Sequence, residues 1–354
     1  SDVQTTFRPK SFNRLEADDF VVSAQAQTQT CWTNNLPTLT SFFTQSNQVA
    51  GETGNYYVTV YDQNPTGSAA AAQFQIAYGQ EDGGGALAFN QNAAPGVSPA
   101  STIYGQYRTL VLEDENAGFV FGGASGSEIY VISVERSAYK ESLFPGSLNL
   151  ILSQTASGAP ATLRLTDDSG MVNIPTYYGT QRAYQIISGS DGKSYNSGSG
   201  GNGYTVASGS YGLFLPDIGT LLLNANALDA TAADGGILLG TVTGSNTAGA
   251  NPLRLLESVQ SGSSFGLNSE ETITSDFVFI RARNSEFNYS ENPSYISGST
   301  GEVIYDYFIN NPQTYITTVG MYNDSNELLA TAKLSKPLNK DFTKEALIRV
   351  KLDF

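Results

Sequence analysis

Apolar and polar positions alternate along much of the chain after residue 50. From Gln73 to Tyr78 the side chains of Phe74, Ile76 and Tyr78 fall on one side, as the two-residue period of a β-strand requires. Similar runs, rich in β-branched and aromatic residues, recur up to the last residues of the chain and are separated by turns rich in Gly, Asn and Pro. The pattern predicts many short antiparallel strands.

Helical signals are brief in comparison. The segments LDATAADGG and NPLRLLESV are each compatible with a helical turn, and in the second Leu253 and Leu256 stand three positions apart. The segments YGQYRTLVL and GEVIYDYFIN are predicted as strands. The predicted fold class is therefore mainly β: a multidomain chain of antiparallel β-sandwich or barrel-like modules with short helical turns.

The length of 354 residues suggests two or three domains. We predict an N-terminal extended arm over 1–50, whose SAQAQTQT stretch would become ordered only against a partner. A β domain is predicted over 51–155, and a β-rich middle domain with the Gly/Ser loop NSGSGGNG over 156–270. The final predicted domain, 271–354, is a C-terminal β domain with an attachment hairpin that turns between Tyr322 and Glu327.

The composition argues against most kinds of catalytic site. The chain has no histidine, so it has no Ser-His-Asp or Cys-His pair and no His-bearing zinc site. Cys31 is the single cysteine, which excludes an intramolecular disulfide and suggests a small buried apolar side chain. We expect no enzyme activity, no catalytic residue, no cofactor and no assigned metal site, while a Ca²⁺ or Mg²⁺ ion in the Asp-rich turns stays an open alternative.

Two motifs that suggest chemistry have simpler explanations. Gly198, Gly200 and Gly203 match a dinucleotide-binding spacing, but no strand leads into them and no helix follows. The acidic pairs Asp167–Asp168 and Glu270–Glu271 resemble the two carboxylates of a glycosidase, although acidic residues in turns account for them without catalysis. Neither motif predicts a site.

The charge distribution argues against nucleic acid as a partner. The net charge is −15, with +3 over 331–354, +1 over 1–16 and −19 over the residues between. Phosphate-backbone binding needs clustered Lys and Arg, and the basic ends of this chain instead suit acidic neighbouring proteins. A solvated face explains the C-terminal basic cluster equally well. No apolar run approaches the roughly 20 residues of a membrane span. Residues 1–10 lack the apolar stretch of a signal peptide, so we expect synthesis in the cytoplasm.

Several stretches resemble virion structural proteins of contractile-tailed phages, including phages of cyanobacteria. The stretches are YGQYRTLVLEDENAGFVFGG, VISVERSAYKESLFPGSLNLIL, GSYGLFLPDIGTLLLN, FVFIRARNSEFNYSENPSYI and NPQTYITTVGMYNDSNELLATAKLSKPLNKDFTKEALIRVKLDF. Within the last, ITTVGMYNDSNELLATAKL is similar to the hairpin of tail-fibre attachment proteins, where a Gly-Leu-Tyr type sequence precedes the turn. In this chain Met321 stands in the Leu position.

The resemblance implies a non-enzymatic structural subunit of the virion, made in the host cytoplasm. It would be a tail or baseplate component that docks other virion proteins, such as fibres or wedges, and copies of itself. The candidate contact residues are Arg281, Arg283, Tyr322, Lys333 and Lys336. A neck or head-associated (capsid) protein and a receptor-binding protein for host polysaccharide are the alternatives, followed by a carboxylate-dependent depolymerase.

Overall fold

The computed structural model describes residues 20–45, 57–87, 97–122, 124–154, 162–194, 211–245, 247, 249–289 and 293–353. The helices are α1 (Pro99–Leu112), α2 (Ala225–Asp229), α3 (Asn251–Gly262) and α4 (Asp306–Asn310). The strands are β1 (Phe20–Thr30), β2 (Thr38–Leu39), β3 (Tyr57–Tyr61), β4 (Ala72–Gln80), β5 (Phe119–Phe121), β6 (Ala124–Gly126), β7 (Glu128–Val134), β8 (Ser142–Leu143), β9 (Asn149–Ser153), β10 (Thr162–Asp167), β11 (Thr176–Tyr178), β12 (Gln181–Ser190), β13 (Lys193–Ser194), β14 (Gly212–Leu215), β15 (Thr220–Asn224), β16 (Ser264–Gly266), β17 (Asn268–Ala282), β18 (Thr314–Tyr322), β19 (Leu328–Lys340) and β20 (Ala346–Asp353).

The predicted fold class is confirmed. The protein is mainly β, with 44% strand and 16% helix, and contains one large curled antiparallel sheet and several separate sheets. The chain divides into a main unit, Ala26–Glu271, and a C-terminal unit formed by Thr272–Phe354 together with Ser1–Gln25. The predicted boundary at 155/156 lies inside the main unit, where β9 and β10 pair across it. The Gly/Ser loop at 196–203 lies outside the described residues.

The sheet of the main unit curls until its two ends meet. The strand order is β2-β16-β9-β10-β12-β14-β15-β7-β4-β3, with β11 and β13 attached to β12. A few residues after β2, Phe43 forms an isolated bridge with Tyr61 of β3, and both backbone N–H···O bonds are present at 3.0 and 2.8 Å. The segment after β2 therefore joins the first strand of the order to the last, which leaves few unpaired edges.

Large side chains fill the inside of this curled sheet. Trp32 packs against Phe265 and Phe74 with ring centroids 4.9 and 6.2 Å apart, and all three rings are fully buried. Leucines from β9, β10 and β15 complete the same cluster. Cys31 lies beside Trp32 and is buried, as predicted, and burial raises the pKa of its thiol to about 12. The thiol therefore stays protonated and serves as a small apolar side chain.

Helix α1 replaces a predicted strand. The segment YGQYRTLVL lies within α1, which starts at a capping box in which the Ser98 hydroxyl and the Ser101 hydroxyl each accept a hydrogen bond from the other residue's backbone N–H. Pro99 occupies the first helical position. Tyr104 and Val111, seven residues apart, face the sheet and are buried there. The strand prediction was wrong because a helical period was hidden in a run rich in β-formers.

The predicted helical turn in NPLRLLESV is confirmed and extends to the twelve residues of α3. Leu255, Leu256 and Val259 of α3 enter the core of the main unit. The segment GEVIYDYFIN was predicted as a strand, and the structure instead places the short helix α4 at its end. These corrections leave the β character of the fold unchanged.

The C-terminal unit contains long strands, and the segment 283–313 between β17 and β18 includes the short helix α4. Strand β17 lies between β1 and β20, and its register with β20 runs from Ser275–Asp353 to Ala282–Ala346. The SAQAQTQT stretch lies in β1 and pairs with β17, in place of the unpaired arm that we predicted. Residues 1–19 of the predicted arm lie outside the described residues. Strands β18 and β19 form a separate two-stranded sheet, which confirms the predicted hairpin.

Candidate functional site

The C-terminal unit exposes far more apolar surface than it buries. Only five of the 50 buried hydrophobic residues described belong to it. It contributes 14 of the 25 large hydrophobic side chains that are exposed: Val22, Phe287, Tyr289, Ile304, Tyr305, Tyr307, Ile309, Tyr315, Tyr322, Leu328, Leu329, Leu338, Phe342 and Leu347. The main unit contains about twice as many described residues and supplies the other 11. An apolar surface of this density is typical of a protein that is covered by a partner.

The β18–β19 hairpin concentrates this surface at its tip. The side chain of Tyr322 lies over Gly320, since a Cβ at position 320 would be only 3.0 Å from the tyrosine ring. The Leu328 side chain lies over the same glycine, 3.5 Å from that Cβ position. Tyr322, Leu328 and Leu329 are 48, 56 and 68% exposed. The glycine of the Gly-Met-Tyr sequence therefore has a physical role: the absence of a side chain at position 320 lets the Tyr322 ring approach the backbone closely.

The turn that carries this tip is rigid. The Asn323 side chain accepts a hydrogen bond from the backbone N–H of Glu327 at 2.8 Å and donates to the Glu327 carboxylate at 2.6 Å. Asn326 has φ of 61°, a left-handed conformation that asparagine tolerates. The exposed side chains beside the turn are thus presented by an ordered backbone, which lowers the entropy cost of binding a partner.

A bulge interrupts the hairpin farther from its tip. The register changes from Thr318–Lys333 to Ile316–Leu338, so four residues of β19 lie opposite Thr317 alone. Lys336 is exposed within this bulge and is followed by Pro337. Because proline cannot donate to a ladder, the bulge is the position in the strand where it is tolerated.

The five predicted contact residues all lie in the C-terminal unit, but they differ in their surroundings. Tyr322 is part of the hairpin tip, and Lys333 and Lys336 are exposed on β19, where the described residues offer them no carboxylate partner. Arg281 forms an intrachain pair with Glu345, at 2.6 Å from its Nη2. Arg283 is exposed just after β17, and its backbone N–H donates to Glu286.

The basic cluster over 331–354 is smaller at the surface than the sequence suggested. Lys340 is fully buried, and its ammonium donates three hydrogen bonds of 3.0 Å to the Asn284 carbonyl, the Asn288 side-chain oxygen and the Asp341 carbonyl. These bonds attach segment 284–288 to the end of β19. Lys344 pairs with the Asp341 carboxylate at 2.7 Å, and its hydrogen bond, with those from Thr343, holds the pKa of that carboxyl well below its usual range.

An aromatic cluster that sequence reasoning missed lies between β17 and β18. Tyr295 contacts Tyr305 and Phe308 at centroid distances of 5.7 and 5.3 Å, and Tyr305 contacts Tyr307 at 5.3 Å. Phe308 is buried, while Tyr305 and Tyr307 are 42 and 60% exposed. The sequence places the four aromatic residues of this cluster within 14 positions. Aromatic residues in a β-rich chain are normally expected in the core, so their spacing alone does not predict an exposed cluster.

The main unit carries a polar cleft of about 540 Å³. Its lining includes Arg182, Tyr184, Asn173, Asp191 and Glu270. The Arg182 guanidinium donates to Asp217 Oδ1 through Nε and Nη2, at 3.0 and 2.7 Å, and its Nη1 lies 3.7 Å from Glu270. Burial lowers the pKa of Arg182, and the hydrogen bonds and charge of Asp217 more than offset this effect, so that the pKa is raised.

Three turns form one wall of the cleft, and glycine allows them to meet. A Cβ at Gly170 would lie 2.6 Å from the Gly192 carbonyl oxygen, and one at Gly192 would lie 3.1 Å from the Gly146 Cα. Both carboxylate oxygens of the fully buried Asp167 accept from the Gly146 N–H at 2.9 Å, and one also accepts from the Ser169 N–H. The Asp167 carboxylate is therefore an internal support of the turns.

Asp167, Asp168 and Glu270 each contact other groups of the main unit. Asp167 is buried beneath the turns, and Glu270 faces Arg182. The adjacent Asp168 accepts from the Gln185 N–H, and burial raises the pKa of its carboxyl. The described residues contain no group of three or more His, Cys, Asp or Glu placed to hold a metal ion. Among the same residues, no helix combines the length and apolar character needed to cross a bilayer.

Comparison with known proteins adds no relative: no family model, no curated protein and no solved structure matches the chain.

Proposed function

We propose that this protein is a non-enzymatic structural subunit of a phage virion, a tail or baseplate component that docks neighbouring virion proteins through its C-terminal unit. The observation that carries the proposal is the excess of exposed over buried apolar side chains in that unit. A unit with so few buried side chains gains most of its hydrophobic stabilisation only when a partner covers it.

The hairpin supplies a suitable docking element. A two-stranded sheet is marginally stable alone, and both of its outer edges offer backbone groups to an added strand. Tyr322 and Leu328 meet over Gly320 near the turn, Leu329 is exposed next to Leu328 in the sequence, and Lys333 and Lys336 lie farther along β19. An apolar centre with a polar rim is the usual arrangement of protein interfaces. Arg281 is a weaker candidate than the sequence suggested because Glu345 already pairs with it.

The assignment to the tail or baseplate rests on the resemblance of the quoted stretches to virion proteins. Antibody labelling of intact and disrupted particles with a serum against residues 271–354, viewed by electron microscopy, tests it. Label at the distal end of the tail is the expected result. Label at the head–tail junction would replace this assignment with a neck subunit, and absence of label from both preparations would refute a virion role.

A pair of double variants tests the docking surface itself. Leu328→Ser with Leu329→Ser removes two exposed side chains at the hairpin tip, and we expect incorporation into particles to fall at least about tenfold. The matched control, Leu36→Ser with Leu110→Ser, changes leucines of the main unit that are 51 and 44% exposed. Both variants should keep the parent's thermal unfolding temperature, because surface substitutions have small effects on stability.

Equal incorporation of the two double variants would show that the hairpin tip is not the docking surface. A third variant, Lys333→Glu with Lys336→Glu, separates charge from apolar contact. We expect it to weaken incorporation most at low ionic strength, since exposed charges act mainly through screened, long-range attraction.

A further inference from the structure

The residues that line the cleft of the main unit have no part in the proposed docking function. Its lining joins one arginine, two carboxylates, an amide and a tyrosine ring: Arg182, Asp191, Glu270, Asn173 and Tyr184. We propose that this cleft binds a neutral saccharide, and the proposal is independent of the docking function of the C-terminal unit.

The net charge of the residues that line the cleft disfavours an anionic ligand. The cleft residues that carry charge are one cation, Arg182, and two anions, Asp191 and Glu270. The cation is already paired, since Asp217 accepts two of its hydrogen bonds and the Ser142 hydroxyl accepts a third at 3.0 Å. A phosphate or carboxylate ligand would therefore enter a region of net negative charge, which like-charge repulsion disfavours.

The described residues also do not form a site for a metal ion, because none of their acidic groups cluster in threes. The chemistry that remains is that of an uncharged ligand with many hydroxyl groups. Each hydroxyl both donates and accepts, so it pairs with a carboxylate or with an amide. Glu270 and Asp191 offer acceptors, Asn173 offers both kinds of group, and Tyr184 adds an aromatic side chain to the lining while packing partly against the core.

Size and rigidity fit a saccharide. The site is an open depression of about 540 Å³, which is accessible to part of an extended saccharide chain. The wall is held in place before any ligand arrives: the Asn149 side chain donates to Asp191 at 3.1 Å, and the buried Asp167 fixes the turns at Gly146 and Ser169. A site that needs little ordering retains more of its interaction energy as affinity.

The competing explanation is structural. Arg182, Asp217 and Glu270 connect β12, the turn after β14 and β17, and such a network stabilises a fold without binding anything. Asn173 and Tyr184 distinguish the two explanations, because Asn173 is exposed and neither side chain belongs to an ion pair. A purely structural network predicts that substitutions at these positions change no binding.

Saturation-transfer NMR on the full chain tests the proposal. The probes are maltohexaose, isomaltohexaose, mannohexaose and cellohexaose, each at millimolar concentration, and inorganic phosphate serves as the anionic probe. We expect saturation transfer to at least one hexaose, weakened about tenfold or more by Asn173→Ala, Tyr184→Ala and Glu270→Gln. Asn226→Ala and Tyr57→Ala are the matched controls, because both positions are exposed in the main unit and away from the cleft lining.

Tyr184 packs partly against the core, so Tyr184→Ala can destabilise the fold. Asn173→Ala and Glu270→Gln keep the test decisive in that case. The proposal is overturned if no hexaose binds, if binding persists unchanged in these two variants, or if phosphate binds and displaces the hexaose.

Discussion

Lys340→Met tests the role of the buried ammonium in the C-terminal unit. The substitution keeps the length and most of the volume of the side chain and removes its three hydrogen bonds, to Asn284, Asn288 and Asp341. We expect segment 284–288 to detach from the end of β19 while β17, β20 and the main unit stay folded.

The magnitude follows from two opposing terms. Hydrogen bonds to a charged group contribute about 1.5–3 kcal/mol each, so three of them contribute roughly 5–9 kcal/mol. Removing a fully buried ammonium also removes its desolvation penalty of several kcal/mol. The difference is a net loss of about 2–4 kcal/mol in the free energy of opening this segment, because three oxygens lose a charged donor that holds them together.

Hydrogen exchange followed by mass spectrometry measures this loss locally, which suits a chain that divides into two compact units, since multidomain proteins commonly depart from two-state unfolding. The expected change is an increase of roughly 30- to 1,000-fold in the exchange rate of the amides of 284–288, since each 1.4 kcal/mol is a factor of ten. Lys333→Met is the control, because Lys333 is exposed on the same strand. If exchange in 284–288 is the same in both variants, the ammonium does not hold this segment and the reasoning fails.

Two further predictions concern the main unit. Gly105→Ala should raise the stability by about 0.5–1 kcal/mol, since a Cβ in the middle of α1 meets no atom within 4 Å, whereas Gly262→Ala should lower it because the Cβ would lie 1.8 Å from the Ile151 carbonyl oxygen. Thermal unfolding of both variants checks the opposite signs, and a shift in the same direction would contradict the packing around α3. Burial, and then the charge of Asp229, raise the pKa of Glu128 above 4.5, so the folded protein holds this proton more tightly than the unfolded chain. The contribution of this group to stability is therefore fully present below pH 4.5 and is lost as the pH rises through the raised pKa. Glu128→Gln should accordingly flatten the dependence of the unfolding temperature on pH above 4.5. An unchanged pH profile would refute the role of this carboxylate.

Local patterns of the sequence predicted most of the strands. Alternation over 73–78 corresponds to β4, and alternation over 347–352 corresponds to β20. The turn between Tyr322 and Glu327 followed from Asn and Asp residues between two β-rich runs. These features depend on neighbours within a few residues, so they are readable from one chain.

Helix α1 could not be predicted from local sequence patterns alone. Its residues include β-formers, and the helix depends on a cap at Ser98 and on a sheet face that buries Tyr104. The sheet that packs against α1 is formed by residues distant from it in the sequence. Tertiary packing of this kind overrides a weak helix propensity. The same limit applies to the closure of the main sheet, since the bridge between Phe43 and Tyr61 joins residues 18 positions apart at the two ends of the strand order.

For the candidate sites too, the sequence predicted some features and only the tertiary structure showed the others. The amino-acid sequence alone excluded histidine chemistry and an intramolecular disulfide, because composition does not depend on folding. It also indicated the hairpin and the lysines Lys333 and Lys336. Only the tertiary structure distinguished these exposed lysines from the buried Lys340, and only it brought Arg182, Asp191 and Glu270 to one cleft. Burial and proximity arise from contacts between distant segments, so a single linear pattern does not contain them.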